Sequence, residues 1–408
     1  MSFDFIDRGS PTSVPGFRAA GVTAGFKRSG APDFAMIFSD EAATNFAGVF
    51  TSCTFAAAPV QLCRQRVLNA PCMRAVIINS GNANACTGEP GLAAARQSCE
   101  IAAQALGIRP DEVGVASTGR IGVQMNMSLI RKGVALAVPA LSSDGGNAAA
   151  EAIMTTDTVA KAAAVRVDIG GKTVTIGAMT KGAGMIDPKL TAPHATMICI
   201  VTTDAKIANA DLQRLLVPCA EDSFNRITVD GDMSTNDTVL VLANGRSGVE
   251  IAPGSQEEKL FADALLQVMQ NLARRMVMDG EGATKFVEIR VVHARSRQDA
   301  KLAAEAVGNS ALCKTAWFGN DPNWGRVVAA LGYSGANFDP DKCDIDFGKI
   351  PVVRNGGDAG TPEEELLSTV KQREFAITVD FHDGDAEYWV WASDISYEYV
   401  KINADYHT

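Results

Sequence analysis

The stretch "DPKLTAPHATMICIVTTD" at residues 187–204 joins a loop-like half to a strand-like half. Two prolines, a histidine and small residues in the first half are typical of an exposed loop. In "TMICIVTT", β-branched and apolar residues follow one another almost without polar interruption, which predicts a buried strand. The change falls at Ala195-Thr196. On these residues alone, Thr196 is an ordinary strand former at the start of a strand.

Outward from this stretch, strand and helix patterns alternate along the chain. Glycines at 170 and 171 separate two β-rich runs and predict a hairpin, and 256–278 predicts a long amphipathic helix. Further strands are predicted at 33–40, 74–81, 112–118, 238–245, 373–381 and 386–393, and further helices at 91–108, 127–141 and 210–224. The mixed order favours an α+β layered fold over a purely parallel sheet, and 408 residues suit two domains.

Composition narrows the class of protein. A formal net charge of −10 argues against a nucleic-acid partner, because phosphate binding needs a basic surface. No apolar run approaches the roughly 20 residues that span a bilayer, and the N-terminus has no signal or transit pattern. Nine cysteines without C-x-x-C spacing predict reduced thiols in a cytoplasmic protein. Four histidines, isolated in sequence, predict no metal site.

Two stretches resemble a phosphate-binding or an ion-binding motif but lack residues that the motif requires. "GGKT" at 170–173 has Arg166 where a P-loop needs its first glycine. "DGDMSTND" at 230–237 has Thr235 and Val241 where a calcium loop needs glycine and glutamate.

Polar, Gly-rich stretches recur at the ends of the predicted strands, where sites are usually built. They are "NSGNANACTG" (79–88), "ASTGRIG" (116–122), "MTKGAGM" (179–185), "SFNRITVDGDMSTNDT" (223–238), "MDGEGATKF" (278–286), "GNDPNWGR" (319–326) and "INADYHT" (402–408). With these motifs the chain resembles the ornithine acetyltransferase, or glutamate N-acetyltransferase, family of arginine biosynthesis. The resemblance runs from "GFRAAGVTAGFK" at 16–27 to the C-terminal "KINADYHT". It implies a layered sandwich of the N-terminal-nucleophile type at 1–285 and a smaller C-terminal α/β domain at 286–408.

The resemblance also implies that the chain cuts itself between Ala195 and Thr196, giving an α chain (1–195) and a β chain (196–408). The Thr196 hydroxyl would attack the preceding carbonyl and form an ester that water cleaves. The freed α-amine, with an unperturbed pKa of about 7.7–8, can act as base to its own hydroxyl. One departure is "DPKLTAPH" (187–194), which lengthens the segment before the nucleophile.

Other roles follow by resemblance. Thr118 and Gly119 match the oxyanion pair, which gives a hydroxyl and a backbone N–H to the negative oxygen of acyl transfer. Lys181 suits a substrate carboxylate and Glu281 the ornithine ammonium. The full set of implied substrate-binding residues is Thr155, Lys181, Thr196, Glu281, Asn403 and Thr408. Asp230, Asn236 and the Trp324 region rank as structural.

The expected reaction is ping-pong: N-acetylornithine acylates Thr196, ornithine leaves, and glutamate takes the acetyl group. This chemistry implies no cofactor and no metal, although a bifunctional member would also accept acetyl-CoA as a co-substrate. The expected partners are these small molecules, the two chains of one precursor, and further copies in a homo-oligomer of αβ units. A first alternative is an amidohydrolase or aminopeptidase of the same fold, with water as acceptor. A second is a binding protein derived from an inactivated enzyme.

Overall fold

The structure is a computed structural model and describes residues 3–189 and 197–405. Ala195, Thr196 and Thr408 therefore lie outside the described residues. Its strands are β1 (Asp4–Phe5), β2 (Phe17–Val22), β3 (Phe34–Ser39), β4 (Asn45–Phe50), β5 (Ala75–Asn82), β6 (Val113–Arg120), β7 (Lys161–Ile169), β8 (Lys172–Lys181), β9 (Ile198–Thr203), β10 (Ile227–Thr228), β11 (Thr238–Ala243), β12 (Phe286–Ala294), β13 (Asp344–Phe347), β14 (Ile350–Arg354), β15 (Gly357–Asp358), β16 (Glu374–Asp380) and β17 (Ala386–Ser393). Its helices are α1 (Ala58–Asn69), α2 (Gly88–Leu106), α3 (Met127–Ala140), α4 (Gly146–Ala152), α5 (Asn209–Glu221), α6 (Gln256–Met278), α7 (Arg297–Asn309), α8 (Ala311–Phe318), α9 (Trp324–Tyr333), α10 (Glu363–Val370) and α11 (Tyr397–Asp405).

Local sequence signals account for several element boundaries. Helix α2 ends at Gly107, whose φ of 68° is left-handed and suits a residue without a Cβ. The β7–β8 hairpin turns at Gly170 and Gly171, with φ of 62° and 78°, as the paired-glycine turn predicts. Helix α6 begins after Ser255, whose hydroxyl accepts a hydrogen bond from the backbone N–H of Glu258. The predicted hairpin and the predicted helices at 91–108 and 256–278 are confirmed.

The strands form three sheets. The six-stranded sheet has the order β1-β7-β8-β9-β11-β4, and the four-stranded sheet has the order β2-β3-β5-β6. The third sheet has seven strands in the order β10-β17-β12-β16-β13-β14-β15. Parallel and antiparallel pairs occur in each large sheet, and helices connect many of the strands. The predicted α+β layered architecture is confirmed.

Strand β9 is buried on both faces, which explains its unbroken apolar sequence. Ile198 and Ile200 face a first core that also contains the four-stranded sheet and helices α1 to α4. Cys199 and Val201 face a second core that is closed by helices α5 and α6. The six-stranded sheet is therefore an inner layer of the sandwich.

A third core belongs to the seven-stranded sheet and draws its buried residues from Val287 to Ala392. Only the short β10 joins this sheet from earlier in the chain, by pairing with β17. The division into domains at residue 285 stays a prediction. Among the described residues, no helix is both long and apolar enough to cross a membrane. All nine cysteines are free thiols, and six of them are buried.

The six-stranded sheet interleaves the two halves of the chain. Strands β9 and β11 lie C-terminal to residue 196 and pair with each other in parallel. On one side β9 pairs with β8, and on the other side β11 pairs with β4. The two strands from the second half are thus enclosed by strands from the first half.

Candidate active site

Three strand ends meet at one edge of the six-stranded sheet. Lys181 ends β8 and pairs with Ile198, which begins β9, and Ile198 pairs in turn with Thr238, which begins β11. The end of β6, with Thr118 and Gly119, approaches this edge from the four-stranded sheet. Together these ends line one cleft that opens to solvent.

The cleft gathers six of the residues implied by resemblance. They are Thr118, Gly119, Thr155, Lys181, Glu281 and Asn403. Met197, the residue directly after Thr196, also lines it. The stretch at 319–326 contributes no described residue to the lining; Asn323 there accepts a hydrogen bond at the start of α9.

Lys181 contacts the hydroxyl of Thr118. Its ammonium donates to the Thr118 Oγ1 across 3.3 Å, and the lysine is almost wholly buried. Burial lowers the pKa of Lys181, and the nearby Asp157 opposes this effect. Because the hydroxyl oxygen accepts from a cation, its own proton is free to donate to a negative oxygen in the cleft.

Gly119 follows in a backbone conformation that excludes a side chain. Its φ is 125°, and a Cβ there would lie 2.4 Å from the carbonyl carbon of Gly81 on β5. The residue therefore has to be glycine for β6 to pair closely with β5 at the cleft. This close pairing fixes the backbone position of the residue beside Thr118.

Asp157 anchors the floor of the site. Its carboxylate accepts from the backbone N–H of Thr155 at 3.0 Å and from that of Gly182 at 2.7 Å. It also forms a fully buried ion pair with Lys161 at 2.7 Å. Burial opposes ionisation, but Lys181 and Lys161 prevail and hold the pKa of Asp157 at about 2. A permanent carboxylate thus fixes Thr155 and the loop after β8.

Asn236 and Asp237 close the cleft beside the start of β9. The amide of Asn236 donates to the carbonyl oxygens of Ala83 and Ser117, at 2.5 and 2.8 Å, and so ties its loop to the end of β6. Asp237 is 1% exposed, and its Oδ2 has no hydrogen-bond partner. Burial raises the pKa of Asp237 well above its usual value.

Glu281 and Asn403 form the opposite wall. The Asn403 amide on α11 donates to the Glu281 carboxylate at 2.7 Å. The backbone N–H of Glu281 donates to the carbonyl of Ala183 at 2.8 Å. A Cβ on Gly184 would lie 2.4 to 2.5 Å from the carboxyl atoms of Glu281, so a side chain there would displace this carboxyl group. The Glu281 carboxylate is thereby held against the loop that follows Lys181.

Asp230 holds the loop that follows Lys181, which is the loop that Glu281 also contacts. Its carboxylate accepts from the backbone N–H groups of Met185 and Ile186 at 2.6 and 2.8 Å. The hydroxyl of Tyr399 on α11 donates to it at 3.3 Å. Asp230 therefore joins the loop to α11, which agrees with its structural rank in the sequence.

Sequence patterns missed Asp157 and Asp237. Asp157 lies in "MTTDT", two residues after Thr155, and accepts from the backbone N–H of that threonine. This is not the Asx turn that loop sequences signal, because in an Asx turn the donor N–H follows the aspartate. Asp237 precedes a strand and has no such signal, because its importance comes from burial alone.

Comparisons with known proteins identify the family of this chain. The chain matches the sequence model of the ArgJ family over residues 18–408. "Arginine biosynthesis bifunctional protein ArgJ" of Symbiobacterium thermophilum is 50% identical and covers 98% of this chain and 99% of the relative. Its counterpart in Geobacter sulfurreducens is 47% identical and covers 97% and 100%. Ornithine acetyltransferase complexed with ornithine, from Mycobacterium tuberculosis, is 42% identical and covers 47% of this chain and 100% of that chain, with a TM-score of 0.44.

Proposed function

The chain belongs to the ArgJ family and is an acyltransferase of the glutamate N-acetyltransferase type, and on this premise we propose that it transfers acetyl from N-acetylornithine to glutamate through Thr196. The observation that carries the proposal is the cleft itself. The cleft contains the Thr118 hydroxyl, which accepts a hydrogen bond from Lys181, and the backbone of Gly119. It also contains the Glu281 carboxylate, which Asn403 orients, and all of these lie beside Met197, the neighbour of Thr196.

The first half-reaction acylates the enzyme. The Oγ of Thr196 attacks the acetyl carbon of N-acetylornithine, and its proton passes to the Thr196 α-amine. The hydroxyl of Thr118 and the N–H of Gly119 donate to the negative oxygen that forms. When the C–N bond breaks, the ornithine nitrogen takes the proton from the α-ammonium. Ornithine leaves, and acetyl-Thr196 remains.

The second half-reaction runs in the opposite sense with glutamate. Its amine attacks the ester carbon and loses a proton to the α-amine of Thr196. The C–O bond breaks, the Oγ regains the proton, and N-acetylglutamate leaves. The same donors serve both half-reactions, because both pass through a tetrahedral centre with a negative oxygen.

Selection of the donor rests on Glu281. Its carboxylate is 7% exposed and is oriented by Asn403. A carboxylate in this setting pairs with the side-chain ammonium of acetylornithine, which glutamate lacks. Lys181 supports the reaction through Thr118 and also offers positive charge to a substrate carboxylate.

The α-amine of Thr196 exists only if the chain is cut before it, and self-cleavage is therefore part of the proposal. Denaturing electrophoresis with intact-mass analysis should show two fragments, one ending at Ala195 and the other beginning at Thr196. Thr196→Ala should stay a single 42.9 kDa chain. Thr196→Ser keeps a hydroxyl and is the matched control, and it should still be cut. Cleavage of Thr196→Ala at the same bond would show that another group attacks.

A transfer assay separates the proposal from hydrolysis on the same fold. Acetylornithine incubated with the enzyme and without glutamate should yield at most one ornithine per active site and a β chain heavier by one acetyl group. Glutamate should then restore turnover. Continuous release of free acetate at the same rate without glutamate would identify an amidohydrolase instead.

Two of the relatives are named bifunctional. We propose acetyl-CoA as the second acetyl donor that a bifunctional member of this family would accept. Release of the CoA thiol that depends on both glutamate and Thr196 would be the expected result. Absence of thiol release, with acetylornithine transfer intact, would restrict the enzyme to a single donor.

A further inference from the structure

Two histidines and an aspartate meet at one edge of the seven-stranded sheet, in a different core from the cleft. Strands β12 and β16 are parallel neighbours, with Val292 opposite Asp380, so their C-terminal ends lie side by side. His293 is near the end of β12, and His382 follows β16 by two residues. One ligand atom each from His293, Asp380 and His382 lies within 4.8 Å of the other two.

The Asp380 carboxylate lies between the two imidazoles. Its Oδ2 is 2.7 Å from the Nδ1 of His293, and its Oδ1 is 3.4 Å from the Nδ1 of His382. The backbone N–H of His382 donates to the same Oδ1 at 2.9 Å and fixes the carboxylate. The aspartate is thus oriented before any ligand arrives.

A second carboxylate orients His382 from its far side. The Nε2 of His382 is 3.0 Å from the Oδ2 of Asp344, which begins β13. Asp344 is itself held by the backbone N–H of Asn355 at 2.8 Å. Because a carboxylate only accepts, this hydrogen bond assigns a proton to Nε2 and leaves the lone pair of a neutral imidazole on Nδ1. That lone pair then faces the Oδ1 of Asp380, and a cation between the two atoms would be bound by both.

We propose that His293, Asp380 and His382 bind a divalent transition-metal ion of the zinc class, with Asp344 as the positioning residue for His382. Two imidazoles and a carboxylate are a ligand set for such ions, and a histidine backed by a carboxylate is the usual outer-shell support. Ligand atoms around tetrahedral zinc lie roughly 3.3 Å apart, given bond lengths of about 2.0–2.2 Å. The His293 and His382 side chains are 56% and 47% exposed, so they have room to adjust. The 2.7 Å between His293 and Asp380 would have to open slightly, and the longer separations, up to 4.8 Å, would have to close.

For the Nδ1 of His293 to bind the ion, the proton that it donates to Asp380 leaves to solvent, and the neutral imidazole takes another proton on Nε2. The ion would join the ends of β12 and β16 directly and β13 through Asp344. The competing explanation is that these side chains form only hydrogen bonds that close the strand ends.

Titration calorimetry with Zn²⁺ on untagged, chelator-treated full-length protein distinguishes the two. We expect one saturable site and a zinc-dependent rise in Tm. Mg²⁺, which prefers oxygen ligands, should give neither effect. Absence of saturable zinc binding, or equal binding of Mg²⁺, would overturn the proposal.

The zinc affinity of substituted proteins tests whether these residues form the site. His293→Ala and His382→Ala should each weaken zinc binding at least tenfold, and Asp344→Asn about 10- to 100-fold through loss of support. The chain has four histidines, and His407→Ala, which removes one elsewhere in sequence, is the matched control and should bind as the wild type does. Unchanged affinity in both His293→Ala and His382→Ala would contradict the assignment. Conservative His382→Asn gives the same test if the alanine variant fails to fold.

Discussion

The ammonium nitrogen of Lys181 lies 3.3 Å from the hydroxyl oxygen of Thr118. A hydroxyl that accepts from a cation becomes a stronger donor, because the two hydrogen bonds polarise one another. The pair therefore connects positive charge at the end of β8 to a donor at the end of β6. Under the proposed mechanism, this connection would give Lys181 a role in the chemical step as well as in substrate binding.

Thr118→Ala should lower kcat by about 10²–10³ and leave KM nearly unchanged, because the lost donor acts mainly in the transition state. Steady-state kinetics with acetylornithine and glutamate measure both constants. Thr118→Ser keeps the hydroxyl and should retain most of the activity. A rise in KM alone for Thr118→Ala would make it a binding residue.

Lys181→Met should lower kcat and raise KM in the wild-type background. In a Thr118→Ala background, the loss in kcat should shrink, because the hydroxyl that Lys181 polarises is gone. The double-mutant cycle measures this coupling. Lys342→Met, at an exposed lysine, is the control. Additive effects on kcat would limit Lys181 to contact with the substrate.

Glu281→Gln should weaken acetylornithine far more than acetylglutamate. A charge-assisted pair of this kind contributes about 1.5–3 kcal/mol, or roughly ten- to hundredfold in affinity. We would compare kcat/KM for the forward reaction with acetylornithine and for the reverse reaction with acetylglutamate. Equal losses for the two donors would remove Glu281 from recognition of the ammonium.

Gly119→Ala should destabilise the fold and abolish activity together. Its φ of 125° disfavours any side chain, by about 1–3 kcal/mol, and the added Cβ would lie 2.4 Å from the backbone of Gly81. Gly122→Ala, in the same motif, is the matched control, because its φ is 79° but no atom lies within 4 Å. It should destabilise by only about 1 kcal/mol. Chemical denaturation and kcat test both variants, and equal behaviour would contradict the packing explanation.

Asp237→Asn should change how stability depends on pH. An unfolded aspartate ionises near a pKa of about 3.9, whereas burial raises the pKa of Asp237 well above that value. The native chain therefore keeps a proton that the unfolded chain has released. The stabilisation from this proton is complete below the unfolded pKa and declines as pH rises toward the folded pKa, by up to about 1.4 kcal/mol per pH unit.

The asparagine variant lacks this titration, so its stability relative to the wild type should rise with pH across that window. Urea denaturation at several pH values, expressed as the difference between the two proteins, is the measurement. Asp111→Asn, at a half-exposed aspartate, is the surface control. A difference that is constant with pH would show that Asp237 is ionised in the native protein.

Sequence patterns predicted the elements well where one local rule dominates. The unbroken apolar run of β9, the glycine pair at 170 and 171, and the amphipathic pattern of α6 each have a single physical cause. Resemblance, and not periodicity, suggested the set of site residues. The structure adds that the described members of this set lie in one cleft.

Features that depend on long-range packing had no local signal. The Oδ2 of Asp237, which has no hydrogen-bond partner, is unusual only because tertiary contacts bury it. The histidines at 293 and 382 are far apart in sequence and were expected to be isolated, yet parallel pairing of β12 with β16 brings them together. Pairing partners of strands are set by the whole fold, so spacing along the chain could not reveal this cluster.

The interleaved sheet has a consequence for the separated halves. If each half were synthesised alone, the second would present β9 and β11 with both outer edges bare, and the first would lack the strands between β8 and β4. Bare edges of this length, apolar on both faces, promote association with other chains. If the chain is cut before Thr196 as we propose, folding of the uncut chain first would avoid that state, because β9 and β11 would be paired before the cut. The continuous chain would then be needed to assemble the sheet, and the hydrogen bonds of β9 to β8 and of β11 to β4 would hold the cut halves together.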